Sequence, residues 1–172
     1  MFAIVRGVEP ASIEIVGDGD IYVPVAAETG EGFTGDLVAL RYGDCEHSLL
    51  EVFFDLTTGR FYRLTMPMWK QPREGVALPI IRTPGIPILE PPIRTFEGPV
   101  GWWRIDCQTD FTVALDERLL TVTFDGGGQA IEGVESGRLT FLVTASKHLV
   151  GFQIRDLPEA DVQTLRQYGA PG

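Results

Sequence analysis

Apolar and polar residues alternate most cleanly between Leu49 and Met66, LLEVFFDLTTGRFYRLTM. Leu50, Val52, Phe54 and Leu56 share one face, and Leu49, Glu51, Phe53 and Asp55 share the other. A period of two in β-branched and aromatic residues predicts a half-buried strand. Thr57-Thr58-Gly59 then predicts a three-residue loop with Gly59 in the left-handed conformation. The resulting register sets Leu56 opposite Arg60, Phe54 opposite Tyr62, Val52 opposite Leu64 and Leu50 opposite Met66. Tyr62 therefore belongs to the core face, while Phe61 and Arg63 belong to the other.

The same grammar recurs along the chain. Phe2 to Val8 and Ser12 to Val16 read as short strands separated by a Glu9-Pro10 turn, and Leu37 to Tyr42 as another strand. Gly43 to Ser48 is a polar connection into the central hairpin. Phe111 to Leu115 and Leu119 to Phe124 form a hairpin around Asp116-Glu117-Arg118, and Asp125-Gly126-Gly127-Gly128 a flexible loop. Leu139 to Thr144 and Leu149 to Ile154 form a third hairpin around Ala145 to His148. Asp156 as N-cap and Glu159 as its capping-box partner predict a helix ending at Gly169. Its apolar face carries Leu157, Val162, Leu165 and Tyr168.

Residues 67 to 99 break the pattern, since eight of the chain's twelve prolines fall there. Proline removes backbone donors and fixes φ, which excludes a long helix or a central strand. Val76, Leu78, Ile80, Ile81, Ile86, Ile88 and Leu89 demand burial, so the segment is expected to be an extended strap packed along the body, supplying a short edge strand. A long ordered loop of this kind is also a candidate binding surface. The prediction is a mainly β fold: an antiparallel sandwich or strongly curved sheet built of hairpins, with a proline-rich strap and one C-terminal helix. The chain reads as one domain over 1–172. Within it, Leu49 to Asp55 matches Leu119 to Asp125 at five of seven residues. That suggests a pseudo-repeat of 37–66 and 111–157 joined by the strap, although hairpins also share composition by chance.

Charge narrows the function. Twenty-four acidic against fourteen basic side chains give −10, a balance that repels phosphate backbones and argues against nucleic-acid binding. It favours a basic partner, whose encounter it would speed at low salt, and it also serves solubility. No apolar run is long enough for a transmembrane helix, and MFAIVRGVEP lacks the regions of a signal peptide, so the cytoplasm is the expected location. Cys45 and Cys107 form no paired motif and are expected to be reduced and buried.

Candidate chemistry is sparse. Asp18 and Asp20 in GDGD have the first spacing of an EF-hand loop, but Tyr22 occupies the third ligand position and no closing glutamate follows, so the segment reads as a turn. A nucleophilic triad would have to use His47 or His148, with Ser48 or Ser146, and no GxSxG elbow occurs. Asp44-Cys45-Glu46-His47 is too acidic to favour a thiolate and matches no zinc spacing, even with His148 added. Asp125 to Gly128 is no phosphate cradle. No catalytic residue, metal ligand or cofactor is therefore assigned. Trp69, Trp102 and Trp103 could stack a sugar or anchor an interface, or simply fill the core. Glu28, Glu31 and Asp36 form an acidic stretch expected to be an exposed loop. These six are the candidate binding residues.

HSLLEVFFDLTTGRFYRLTM, with the closing GRLTFLVTASKHLVGFQIRDL before a short helix, resembles small β-rich bacterial proteins, many uncharacterised and some of the toxin-immunity type. The resemblance covers about a third of the chain, rests on hairpin grammar, and transfers no site residue. It implies a cytoplasmic, non-enzymatic inhibitor of a basic toxin. The alternatives are a small-ligand or carbohydrate-binding β-domain with a tryptophan-lined groove, and a subunit associating through the sheet edge near Pro24.

Overall fold

The computed structural model describes residues 2–11, 13–15, 26–29, 35–75, 78, 80–90 and 102–170. In chain order the strands are β1 (Ile4–Glu9), β2 (Ile13–Ile15), β3 (Ala26–Thr29), β4 (Leu37–Tyr42), β5 (Leu49–Asp55) and β6 (Phe61–Met68). They continue with β7 (Arg73–Glu74), β8 (Ile81–Pro84), β9 (Ile86–Glu90), β10 (Trp102–Asp106), β11 (Phe111–Asp116) and β12 (Leu119–Phe124). Then come β13 (Glu132–Ser136), β14 (Leu139–Val143), β15 (Leu149–Ile154) and the helix α1 (Glu159–Tyr168). One sheet runs β10-β4-β5-β6-β3-β2, a second β7-β11-β12-β15-β14-β13-β8, and β1 pairs with β9 in a third. The pairings are antiparallel except β10 with β4, β7 with β11 and β8 with β13. The fold is mainly β, as the alternation predicts, and among the described residues no sheet closes into a barrel.

The two large sheets pack face to face, with strands such as β11 turning alternate apolar residues inward. Tyr42 stacks on Phe124 with ring centroids 4.0 Å apart, and Phe61 meets Phe141 edge-on at 4.7 Å. Both contacts cross the interior from one sheet to the other. Leu37, Ala39 and Phe53 form a smaller buried cluster with Tyr62, separate from the main core.

The central hairpin holds the expected register only in its middle. Val52 faces Leu64, but Phe54 faces Phe61 and Leu49 faces Met68, with irregularities at both ends. The expected pairs of Phe54 with Tyr62 and Leu50 with Met66 are thus replaced. The bulge turns Phe61 into the core against Phe141 and leaves Tyr62 with the outer cluster, which satisfies two large rings at once. Gly59 does adopt a left-handed φ of 75°, although the loop is tied one residue earlier, by the Asp55 amide to the Arg60 carbonyl at 2.9 Å.

The strap crosses the second sheet from edge to edge. Its β7 pairs with β11 at one margin and its β8 with β13 at the other. Between them Ile80 lies against β13, where a Cβ on Gly133 would meet Ile80 Cδ1 at 2.7 Å. The Ile81 and Gly85 amides bond to the Ile131 and Glu135 carbonyls, so the backbone nitrogens of Arg82 and Pro84 between them face away from β13. Pro84 has no N–H to offer there, which suits it to an edge. Ile86 and Leu89 are buried as expected, but Ile81 is 75% exposed, because it sits on the outermost strand. Replacing Ile81 with threonine is expected to change unfolding free energy by less than about 0.5 kcal/mol in a urea titration.

Other expectations change in detail. Glu28 and Thr29 belong to β3 rather than to an exposed loop, and Glu28 pairs with Arg63 in register. Cys107 is buried but Cys45 is exposed, because its loop projects from the sandwich. At the helix, Pro158 occupies the N-cap with no side-chain cap bond, so the Asp156–Glu159 capping box does not form. Asp156 instead adopts φ 55°, and its carbonyl accepts from Arg138 at 2.9 Å. Leu157, Val162 and Leu165 are buried, whereas Tyr168 is exposed at the helix end. The hairpins β4–β5 and β11–β12 share inward positions but not register: Leu40 faces Val52, while Leu115 faces Leu120. The GDGD turn, Tyr22, Pro24, Glu31 and Val76 lie outside the described residues.

Candidate functional site

The site is built on the β4–β5 connection, whose sequence forces a tight, self-bonded loop. Gly43 starts it at φ 107°, where a Cβ would lie 2.2 Å from the Ser48 carbonyl oxygen. Asp44 then organises the turn. Its Oδ1 accepts the amides of Glu46 at 3.0 Å, His47 at 2.7 Å and Ser48 at 2.9 Å. Such local side-chain bonds are what aspartate contributes to turns. The loop leaves the Glu46 and His47 side chains exposed.

A second set of groups locks the loop to both sheets. The Ser48 hydroxyl donates to Asp110 Oδ1 at 2.9 Å, and Lys70 Nζ donates to Asp110 Oδ2. Lys70 Nζ also lies 3.8 Å from Asp44 Oδ2, and His47 Nδ1 lies 3.4 Å from the same oxygen. The three amides hold the Asp44 carboxyl well below the usual carboxylate range, the His47 amide most of all. Burial pushes the Asp110 carboxyl up, but Lys70, the Phe111 amide and the Ser48 hydroxyl outweigh it and leave it below its usual range.

Both acids are thus favoured as carboxylates in the folded chain, so their contribution is full above the unfolded aspartate pKa and is lost as pH falls through the lower folded values. The stability advantage of the wild type over Asp44→Asn should therefore be constant near neutrality. It should shrink once pH drops below about 4. Urea midpoints across that range check it, and an advantage that grows in acid would contradict the assignment.

Trp69 joins the loop to the helix. Its ring is 6% exposed, and Nε1 donates to the Leu165 carbonyl at 2.9 Å. The chain beyond the helix returns alongside it: the Ala170 amide bonds to the Trp69 carbonyl at 2.8 Å, and the Gln71 amide to the Ala170 carbonyl at 2.7 Å. Between loop and helix end lies an open cavity of about 360 Å³, lined by Glu46, His47, Pro67, Met68, Trp69, Tyr168 and Ala170. Most of this wall is apolar, with one carboxylate and one imidazole at the side.

No family model matches the chain, and no curated protein matches it. The geometry alone carries the functional reading. Of the candidate binding residues whose side chains are described, Trp69 is the one lining this cavity. Trp103 sits in β10 opposite Val38, half-buried against the core, and Trp102 pairs there with Leu37, its side chain outside the described residues. Asp36 is half-buried beside the central hairpin, where its carbonyl accepts the Leu56 amide at 2.8 Å. Glu28 lies in β3. Among the described residues, Trp69 and Trp103 do not converge with Glu28 or Asp36.

The chemistry weighed in the sequence is also placed. Ser146 Oγ lies 3.2 Å from His148 Nδ1, so their spacing does bring them together, with the Thr144 hydroxyl at 3.0 Å on the other side of the serine. Cys45 Sγ accepts from Arg41 at 3.2 Å. Burial, ahead of any neighbour, pushes the Cys107 thiol up to about 11, which makes it a poor nucleophile. Among the described residues, no three His, Cys, Asp or Glu side chains group as metal ligands. Also among them, no helix is long and apolar enough to cross a membrane.

Tyr168, Lys70 and Asp110 are the residues that sequence reading missed. Helical periodicity assigns Tyr168 to the core face, and no local pattern links positions 70 and 110.

Proposed function

We propose that the protein is a non-catalytic binding protein that recognises a basic protein partner, as an immunity-type inhibitor of a basic toxin does, at the cavity between residues 43–48 and the end of α1. The observation that carries this reading is the cavity itself. It is an apolar hollow of about 360 Å³, bordered by Glu46 and set in a chain of net charge −10. An apolar anchor site with a charged margin is the usual anatomy of a recognition surface, and the net charge would steer a basic partner toward it. The reading carries with it a cytoplasmic location.

A second reading uses the same cavity for a small organic ligand. Its volume falls within the range of about 300–1,000 Å³ typical of such sites, and Tyr168 supplies an exposed aromatic ring.

Calorimetric titration with a tetra-arginine peptide, beside a tetra-glutamine control, tests the first reading. Saturable binding of the basic peptide alone, weaker at higher salt and reduced by Glu46→Gln, is the expected result. Equal binding of both peptides, or none of either, would overturn it.

A further inference from the structure

We infer that the occupant of the Trp69 cavity is a single guanidinium group, the side chain of an arginine presented by the partner. This rests on the recognition site proposed above, and deepens it by naming the chemical group received.

Three independent features point to that cation. The first is Glu46, a cavity-lining carboxylate that makes no salt bridge among the described residues. The neighbouring carboxylates are already engaged: Asp44 with three loop amides, and Asp110 with Lys70 and Ser48. The second is the C-terminal end of α1, which reaches the cavity at Tyr168. A helix C-terminus carries partial negative charge, so it attracts cations. The Leu165 and Arg166 carbonyls are bonded to the Trp69 and Gln71 side chains. That fixes the negative end of the helix beside the hollow.

The third feature is the wall. Tyr168 is 64% exposed and lines the apolar hollow with Pro67, Met68 and the largely buried Trp69. A planar, delocalised and weakly hydrated cation suits such a wall better than a compact ammonium, because it can lie on an aromatic face while donating to a carboxylate. A neutral aromatic guest would instead take Glu46 out of water unpaired, which is unfavourable. The basic residues near the site do not fill it, and Arg166, in the last turn of α1, is not among the lining residues. Lys70 is held by Asp110 and Asp44, and His47 Nδ1 faces Asp44.

The test uses the full chain with N-acetyl-argininamide and its neutral isostere N-acetyl-citrullinamide, followed by tryptophan fluorescence and by calorimetry. Glu46→Gln and Tyr168→Ala are the variants, since both side chains are exposed and neither change disturbs the core. Binding of the arginine probe, at least about tenfold tighter than the citrulline probe and lost by about tenfold in Glu46→Gln, is expected. Equal binding of the two probes, reduced in Tyr168→Ala, would overturn the guanidinium assignment while leaving the cavity as a recognition site. If tetra-arginine binds undiminished in both variants, the cavity is not the site, and both proposals fall.

Discussion

Gly151→Ala is expected to be among the most destabilising single substitutions in the protein, by more than about 3 kcal/mol. Gly151 has φ 150°, and a Cβ there would lie 2.0 Å from the Val122 carbonyl oxygen and 3.1 Å from the Thr123 Cα. It sits in β15 between β12 and β14, facing Thr123 on one side and Leu142 on the other. No flexible side chain can move aside, because the obstacle is the neighbouring backbone. Relief requires parting two interior strands of the second sheet. Gly126→Ala is the matched control: Gly126 also has a left-handed φ, 71°, but a Cβ there meets nothing within 4 Å. It should cost only about 1 kcal/mol of backbone strain. Equilibrium urea unfolding separates the two, and similar losses for both would mean that strain rather than the clash dominates.

Trp69→Ala should destabilise by about 3–5 kcal/mol, the range for truncating a large buried aromatic side chain. The indole is buried in the main core and donates to Leu165, so its loss opens a cavity and leaves the helix carbonyl without that partner. Val162 and Leu165 pack into the same core, so α1 should loosen with it. Trp69→Phe keeps most of the packing but drops the hydrogen bond, and about 1 kcal/mol is expected for it. Far-UV circular dichroism and urea midpoints together check both. Wild-type stability in Trp69→Ala would mean that the ring is not the attachment point of the helix.

Local rules read correctly where local physics decides. Leu37–Tyr42 emerges with the bounds its apolar run predicts, and the two-residue turn at Glu117-Arg118 joins β11 to β12 where the polar break lies. Pro84 sits on the edge strand β8, as a missing N–H demands, and Pro67 lies near the end of β6, past the residues that β3 pairs. Where tertiary contacts decide, the local rules fail. Turn chemistry places Tyr62 in the core, but the opposing sheet supplies Phe141 as a partner for Phe61, and a bulge exchanges the two. The segment EGVES of β13 lacks clear alternation and becomes a strand because β14 and β8 flank it. The parallel partners of β7, β8 and β10 lie tens of residues away, beyond the reach of any short window.

The site was legible only in pieces. Asp44 to Ser48 stood out as a polar loop and Trp69 as an aromatic anchor, but their meeting depends on the path of the chain after α1. Tyr168 obeys the helical period yet lies one turn past Leu165, at the helix end, and so becomes cavity wall rather than core. Trp103 shares the aromatic character of Trp69, but pairing of β10 with β4 sets it half-buried against the core, away from the cavity lining.

Recognition of a basic partner at the Trp69 cavity is tested by an amide and indole chemical-shift map of the isotope-labelled protein titrated with tetra-arginine peptide. Saturable shifts concentrated at Glu46, His47, the Trp69 indole N–H and Tyr168 are expected, with the Glu28 and Asp36 signals unmoved. Shifts centred on Glu28 and Asp36, with the Trp69 indole unchanged, would contradict recognition at this cavity.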